Sequence, residues 1–260
     1  MGPVPYFAME FIQGPSLLDF AKSSKLTTRQ RLNLLAEICD AVHHAHQKGV
    51  VHRDLKPANI LVESDGGVPQ PKILDFGVAR ATHSDIQQVT MHTEVGQIVG
   101  TLSYMSPEQV AGRPDELDVR SDVYALGVIL FELLADRLPY DLRGHSIPEA
   151  GSIIRDQEPS RLSSVHSAFR GDIETIVAKA LEKEKERRYQ SAAELAEDIR
   201  RFLRDDPIVA RPASRAYQIL KFAKRNKAIV VAVAAVFLSL VLGIIGTTVA
   251  LVRATNAEAV

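Results

Sequence analysis

Five residues at fixed spacing, within His52-Arg53-Asp54-Leu55-Lys56-Pro57-Ala58-Asn59, leave this chain few folds to choose from. They put an acid, a cation and an amide on one short loop. Asp75-Phe76-Gly77 follows, after a turn at Ser64-Asp65-Gly66-Gly67 and a short strand at Lys72-Ile73-Leu74. Ser106-Pro107-Glu108 comes third. One such cluster reads equally well as a surface loop with unrelated charges. Three of them in this order and spacing argue for a built site.

Hydrophobic periodicity supplies the scaffold. Thr28 to Lys48 is a helix candidate, with Leu35, Cys39, Val42 and His46 on one face and Gly49 as its stop. Val123 to Leu134 is almost entirely apolar and reads as a buried helix, too short to cross a bilayer. Ile173, Ile176, Val177, Ala180 and Leu181 mark a further amphipathic helix. Ser191 and Glu194 have capping-box spacing ahead of a helix carrying Leu195, Ile199, Phe202 and Leu203. Tyr6 to Ile12 reads as a strand entering a loop at Gln13-Gly14-Pro15. The expected fold class is mainly α with short β-hairpins.

The first motif fits H-R-D-L-x-x-x-N, the catalytic loop of protein kinases. With Asp75-Phe76-Gly77 and the Ser106-Pro107-Glu108 variant of A-P-E, the chain resembles the bacterial, eukaryotic-type (Hanks-type) Ser/Thr kinases. The resemblance runs from a hinge strand near Met9-Glu10 to a last lobe helix near Leu203. It implies a kinase C-terminal lobe over 14–205, preceded by a hinge-strand remnant over 1–13. Phosphoryl transfer asks a protein mainly for positioning and charge neutralisation. By resemblance, Asp54 accepts the substrate hydroxyl proton and Lys56 neutralises the transferring phosphate. Asn59 and Asp75 hold Mg2+, with Mn2+ as an alternative. Lys56-Pro57 points to Ser/Thr rather than Tyr in the protein substrates. Met9 would be the gatekeeper, and the backbones of Glu10 and Ile12 would meet the adenine of ATP. Arg53 resembles the arginine that pairs with an activation-loop phosphate, for which Thr90 and Thr93 are the best-placed acceptors. Thr101, ahead of Tyr104-Met105, resembles the substrate-docking loop near Asp54. Asp122 resembles the helix aspartate that receives catalytic-loop N–H groups. Glu108 and Arg188 resemble a buried ion pair. Tyr124 departs from the family, which often has Trp there.

A kinase also uses a Gly-rich loop, a strand lysine and a helix glutamate, all ahead of the hinge. Neither G-x-G-x-x-G-x-V nor V-A-I-K occurs in these residues. The chain by itself is therefore expected to lack the N-terminal lobe and to behave as an inactive fragment. A non-catalytic, membrane-tethered pseudokinase scaffold is the alternative, and a membrane sensor whose lobe binds a partner is a third reading.

Ala228 to Val252 carries no charge and is long enough to cross a membrane. Arg211, Arg215, Lys221, Lys224, Arg225 and Lys227 precede it, within a basic juxtamembrane segment at 206–227. Only Arg253 follows closely. The positive-inside rule then places the lobe in the bacterial cytoplasm and the 253–260 stub outside the inner membrane. Ala235, Ser239, Gly243 and Thr247 form a small-residue stripe that suggests a homodimer. Across the whole chain, 31 basic and 32 acidic residues nearly cancel, which gives no case for nucleic acid. The lone Cys39 excludes an internal disulfide and reads as a core residue. His43, His44 and His46 crowd one helix end and read as packing and capping rather than as a metal site.

Overall fold

The computed structural model describes residues 10–65, 67–76, 100–211, 214, 217–219, 221, 226, 231–232, 235 and 237–248. The chain divides into two units, 1–204 with 208–211, and 205–207 with 212–260.

The first unit is mainly helical. Helix α1 spans Leu17–Ser23 and is capped by Ser16. Helix α2, Thr28–Gln47, starts at a capping box in which Thr27 and Gln30 satisfy each other's backbone donors. Leu35, Cys39 and Val42 are fully buried, as the spacing predicts. Burial pushes the Cys39 thiol well above its ordinary range, which suits a core residue. Gly49, at φ 77°, turns the chain out of the helix.

Strands β1, Ile60–Asp65, and β2, Val68–Ile73, pair antiparallel with Ile60 opposite Ile73 and Val62 opposite Pro71. The strand expected at Lys72–Leu74 thus begins earlier and contains Pro69 and Pro71. The Val62 N–H points away from β2, donating to the Pro15 carbonyl at 3.0 Å. Val62 and Pro71 therefore face each other as a non-hydrogen-bonded pair, and the proline's missing N–H lies on the outer edge, where it breaks no ladder bond. On the other side of β1 the chain passes so close that a Cβ at Gly14 would lie 2.3 Å from the Val62 oxygen. The expected entry strand is not seen in its described part: residues 10–15 have no regular secondary structure, and Phe11 is 82% exposed. The segment touches the outer edge of β1 only at its end, through Pro15 and the isolated bridge from Ser16 to Leu61.

Helix α3, Pro107–Val110, is one turn. Helix α4, Val119–Ala135, is the core of the unit. It is buried on every side from Ser121 to Phe131, as expected of a helix that is apolar all round. Asp118 caps its start and Asp136, at φ 52°, ends it. Helices α5, Ile147–Asp156, and α6, Asp172–Ala180, follow, then α7, Ala192–Leu203. Gly127 allows α4 and α6 to touch, since a Cβ there would lie 2.8 Å from the Ala180 Cβ. Helix α7 lies along α2, with Arg29 donating to the Leu203 carbonyl and Arg200 paired with Asp40.

The expected capping box at Ser191 is only half made. Ser191 Oγ accepts from the Glu194 N–H, but Glu194 reaches past it to the Gln190 N–H at 2.8 Å. Asp198 is buried within α7. It accepts from the Tyr189 hydroxyl and from the Val209 and Ala210 N–H groups at 2.7–2.9 Å, which fastens 208–211 to the helix.

In the second unit, residues 237–248 are helical. Phe237, Leu238, Leu240, Leu242, Ile244 and Ile245 are exposed. The Ser239, Thr247 and Thr248 hydroxyls donate to carbonyls one turn back, at 2.8–3.0 Å. Among the described residues, no helix is long and apolar enough to cross a membrane.

Candidate active site

The loop from His52 to Asn59 hangs from the first turn of α4. Asp122, 1% exposed, accepts from the His52 and Arg53 N–H groups, both at 2.8 Å. The His46 ring on α2 meets the same carboxylate at 2.7 Å. Two backbone donors and an imidazole together satisfy a charge that would be costly to bury alone. His46 was read as helix-end packing, and its partner lies too far along the chain for local pattern to reveal. Its Nδ1 and that of His43 are buried without a hydrogen-bond partner among the described residues. Among the described residues, no cluster of His, Cys, Asp and Glu could hold a metal.

Below this anchor the loop takes an unusual path. Arg53 has φ 66° and Asp75 φ 57°, the left-handed region that non-glycine residues adopt at an energetic cost. His52 closes the gap between the two segments. Its ring meets the Leu74 carbonyl at 2.8 Å and packs on Phe76 at 5.0 Å between centroids. The Leu74 N–H donates to the Asn59 carbonyl at 2.8 Å, which brings the backbone of Asn59 beside Asp75.

Asp54, Lys56, Asn59 and Thr101 meet. Lys56 Nζ lies 3.0 Å from Asp54 Oδ2 and 3.3 Å from the Thr101 hydroxyl. Asn59, ending a short 3-10 turn that Pro57 begins, donates to the Asp54 carbonyl at 2.8 Å and to its carboxylate at 3.1 Å. The Asp54 side chain stays 34% exposed, so a small group from solvent can reach it.

Beneath the loop, Glu108 and Arg188 form the expected buried pair, bidentate at 2.7 and 2.8 Å. Burial acts to raise the Glu108 carboxyl. The hydrogen bonds and charge of Arg188 outweigh it and hold the group below its ordinary value. Arg188 also lies 5.0 Å from the centre of the Tyr124 ring, so the aromatic at this position still packs on the guanidinium. Two further contacts escaped the sequence reading. Gln109 donates to the Arg53 carbonyl at 2.6 Å, and Tyr104 donates to Glu132 at 2.5 Å. Burial raises both Tyr104 and Glu132 above their ordinary ranges, which keeps the phenol a donor.

Glu10 is exposed and Ile12 half-buried, and neither is held in regular structure. Met9, Thr90 and Thr93 lie outside the described residues, as does Gly77.

The sequence profile of the protein kinase domain matches residues 4–199. The serine/threonine-protein kinase PknB of Mycobacterium tuberculosis is 38% identical over 208 residues, covering 79% of this chain and 32% of PknB. Serine/threonine-protein kinase Pkn1 of Myxococcus xanthus is 41% identical over 192 residues, covering 74% of this chain and 26% of Pkn1. The chain thus spans about a third or less of the length of the curated relatives it matches. Among solved structures, a double mutant of the M. tuberculosis PknI kinase domain superposes with a TM-score of 0.56 at 22% identity. That match covers 75% of this chain and 65% of the PknI domain, and it supports the fold alone.

Proposed function

The chain belongs to the protein kinase family, and on that premise we propose that residues 14–205 carry the catalytic-loop half of a serine/threonine kinase site, anchored to a membrane by 228–252. The observation that carries this reading is the meeting of Lys56 and Asn59 at the Asp54 carboxylate, with Thr101 bonded to Lys56 beside it. In it Asp54 accepts the proton of an incoming serine or threonine hydroxyl and aims its oxygen. Lys56 presents an ammonium where charge grows on the transferring phosphoryl group. Asn59 directs its amide N–H groups at Asp54, which leaves its oxygen to accept, and its backbone is tied to Leu74, the neighbour of Asp75. That donor set fits a hard divalent ion, Mg2+ or Mn2+, which takes one or two protein oxygens and completes its shell with phosphates and water. Mg2+·ATP, when bound, supplies the phosphoryl group and part of the charge neutralisation. Thr101 steadies Lys56 and borders the docking place of the substrate.

Arg53 Nε is buried with no hydrogen-bond partner among the described residues. A phosphate on the segment holding Thr90 and Thr93 would supply one. The exposed apolar side chains of 237–248 support burial in hydrocarbon, and hydroxyls satisfied within the helix suit that medium. The basic residues ahead of 228 favour a cytoplasmic lobe at the bacterial inner membrane.

Titration with Mn2+·ATP tests the site. Paramagnetic broadening in NMR spectra should fall first on Asn59 and Asp75, and Asp75→Asn should remove it. Broadening that ignores these two residues would overturn the reading and favour the scaffold alternative. Because these residues hold neither a Gly-rich loop nor a V-A-I-K lysine, the purified 260-residue polypeptide should transfer no phosphate unaided. Strong Mg2+-dependent transfer would contradict that expectation.

A further inference from the structure

The peptide joining Arg53 to Asp54 decides where the Asp54 carboxylate points. Arg53 is left-handed, at φ 66°, so the chain does not favour this path unaided. One side of the residue is held by Asp122, which accepts the Arg53 N–H at 2.8 Å. The other side is held by Gln109, whose Nε2 donates to the Arg53 carbonyl at 2.6 Å. That carbonyl shares its peptide plane with the Asp54 N–H, which donates to His52 Nδ1 at 3.3 Å.

The orientation of the Gln109 amide follows from its other end. Gln109 Oε1 accepts from the Ser106 N–H at 2.9 Å and stands 3.1 Å from the Ser106 hydroxyl. Turned over, the amide would set N–H against N–H at Ser106 and oxygen against oxygen at Arg53. The neighbouring Glu108 is locked to Arg188, so α3 is a fixed base from which Gln109 reaches the loop.

We propose that Gln109 is a positioning residue for Asp54, the second of two clamps on the strained Arg53, and that through it the Ser106-Pro107-Glu108 turn sets the aim of the proton acceptor. The inference deepens the kinase reading and rests on it for the role of Asp54. The competing view is that Gln109 only completes the helix cap, for which Glu serves as well as Gln. Gln109→Glu separates the two. It keeps the acceptor for Ser106, loses the donor to Arg53 and sets a carboxylate against a carbonyl.

Hydrogen exchange of single amides, read by NMR on the 260-residue chain in detergent micelles, tests this. In Gln109→Glu the Arg53 and Asp54 amides should exchange about tenfold faster, the scale of one lost hydrogen bond. The Gln109→Glu backbone amide and that of Ser106 should keep their protection. Lowering the pH until the introduced carboxyl is protonated restores a donor and should recover protection at Asp54. Unchanged exchange at Arg53 and Asp54 would overturn the proposal. So would an equal acceleration at Leu126 in α4, which would mark a global effect. The Mn2+·ATP broadening at Asn59 and Asp75 in the unmutated chain is read separately. Its loss would defeat the kinase reading, while the exchange data still judge the clamp.

Discussion

Replacing Arg188 with Met should cost the lobe a large part of its stability. The guanidinium is fully buried and all five of its N–H groups are used. Two go to Glu108 and the others to the carbonyls of Glu182, Arg120 and Lys183. Without Arg188, Glu108 keeps only the Ser121 hydroxyl among its described side-chain partners, at 2.8 Å. Breaking a buried ion pair from one side costs about 3–5 kcal/mol. For a domain of roughly 200 residues each kcal/mol moves the melting temperature by about 2–4 °C. The expected fall is therefore about 6–20 °C at neutral pH, measured by circular dichroism or calorimetry. A fall of less than about 3 °C would refute the reasoning. Acid provides a second check. The folded Glu108 carboxyl titrates below its ordinary value of 4.5. Its stabilisation is complete above that value and is lost as the pH falls through the lower, folded value. The unmutated lobe should thus lose stability in acid more steeply than Glu108→Gln. Parallel curves would show that the pair carries no such linkage.

Gly127→Val would drive a side chain into Ala180 and Leu181, and the forced parting of α4 and α6 should cost about 1–3 kcal/mol in urea unfolding; an unchanged midpoint would refute the close contact. Lys183 donates to the Tyr140 hydroxyl and the Ile154 carbonyl, and burial lowers its amine to about 8. Its folded value lies below the ordinary 10.5, so its contribution to stability should rise with pH between the two, and Lys183→Met should flatten that rise in melts taken across this range. Gly243→Ile should abolish association in a membrane two-helix assay, and unchanged association would end the small-residue dimer idea.

The parts of the candidate site that sit in short motifs were legible from residues alone. Asp54, Lys56, Asn59 and Thr101 meet as their motifs suggest, and Asp122 takes the two N–H groups expected of it. Helices α2, α4, α6 and α7 were legible too, because burial on one face writes a period into α2 and α7, and burial on all faces leaves α4 uniformly apolar; the shorter α1, α3 and α5 offered too few turns to show one. What stayed hidden depends on distance in the chain or on direction in space. His46 meets Asp122 across 76 positions and Gln109 meets Arg53 across 56. Neither pairing leaves a local pattern. Pro69 and Pro71 look like breakers until one knows that their ring nitrogens face an open edge. Glu194 has the spacing of a capping box, yet its side chain is long enough to choose Gln190 instead. Asp198 falls among the apolar positions of α7, and its partners at 209 and 210 lie beyond the helix that carries it.

The loop from His52 to Asn59 takes its bearings from Asp122, in the first turn of the deeply buried α4. Heat, denaturant or a misfit side chain that loosens α4 should therefore shift Asp54, Lys56 and Asn59 before the lobe visibly melts. In a genetic screen, lesions in the interior of α4 should mimic lesions at Asp54 or Asn59, and suppressors that tighten the interior should rescue them.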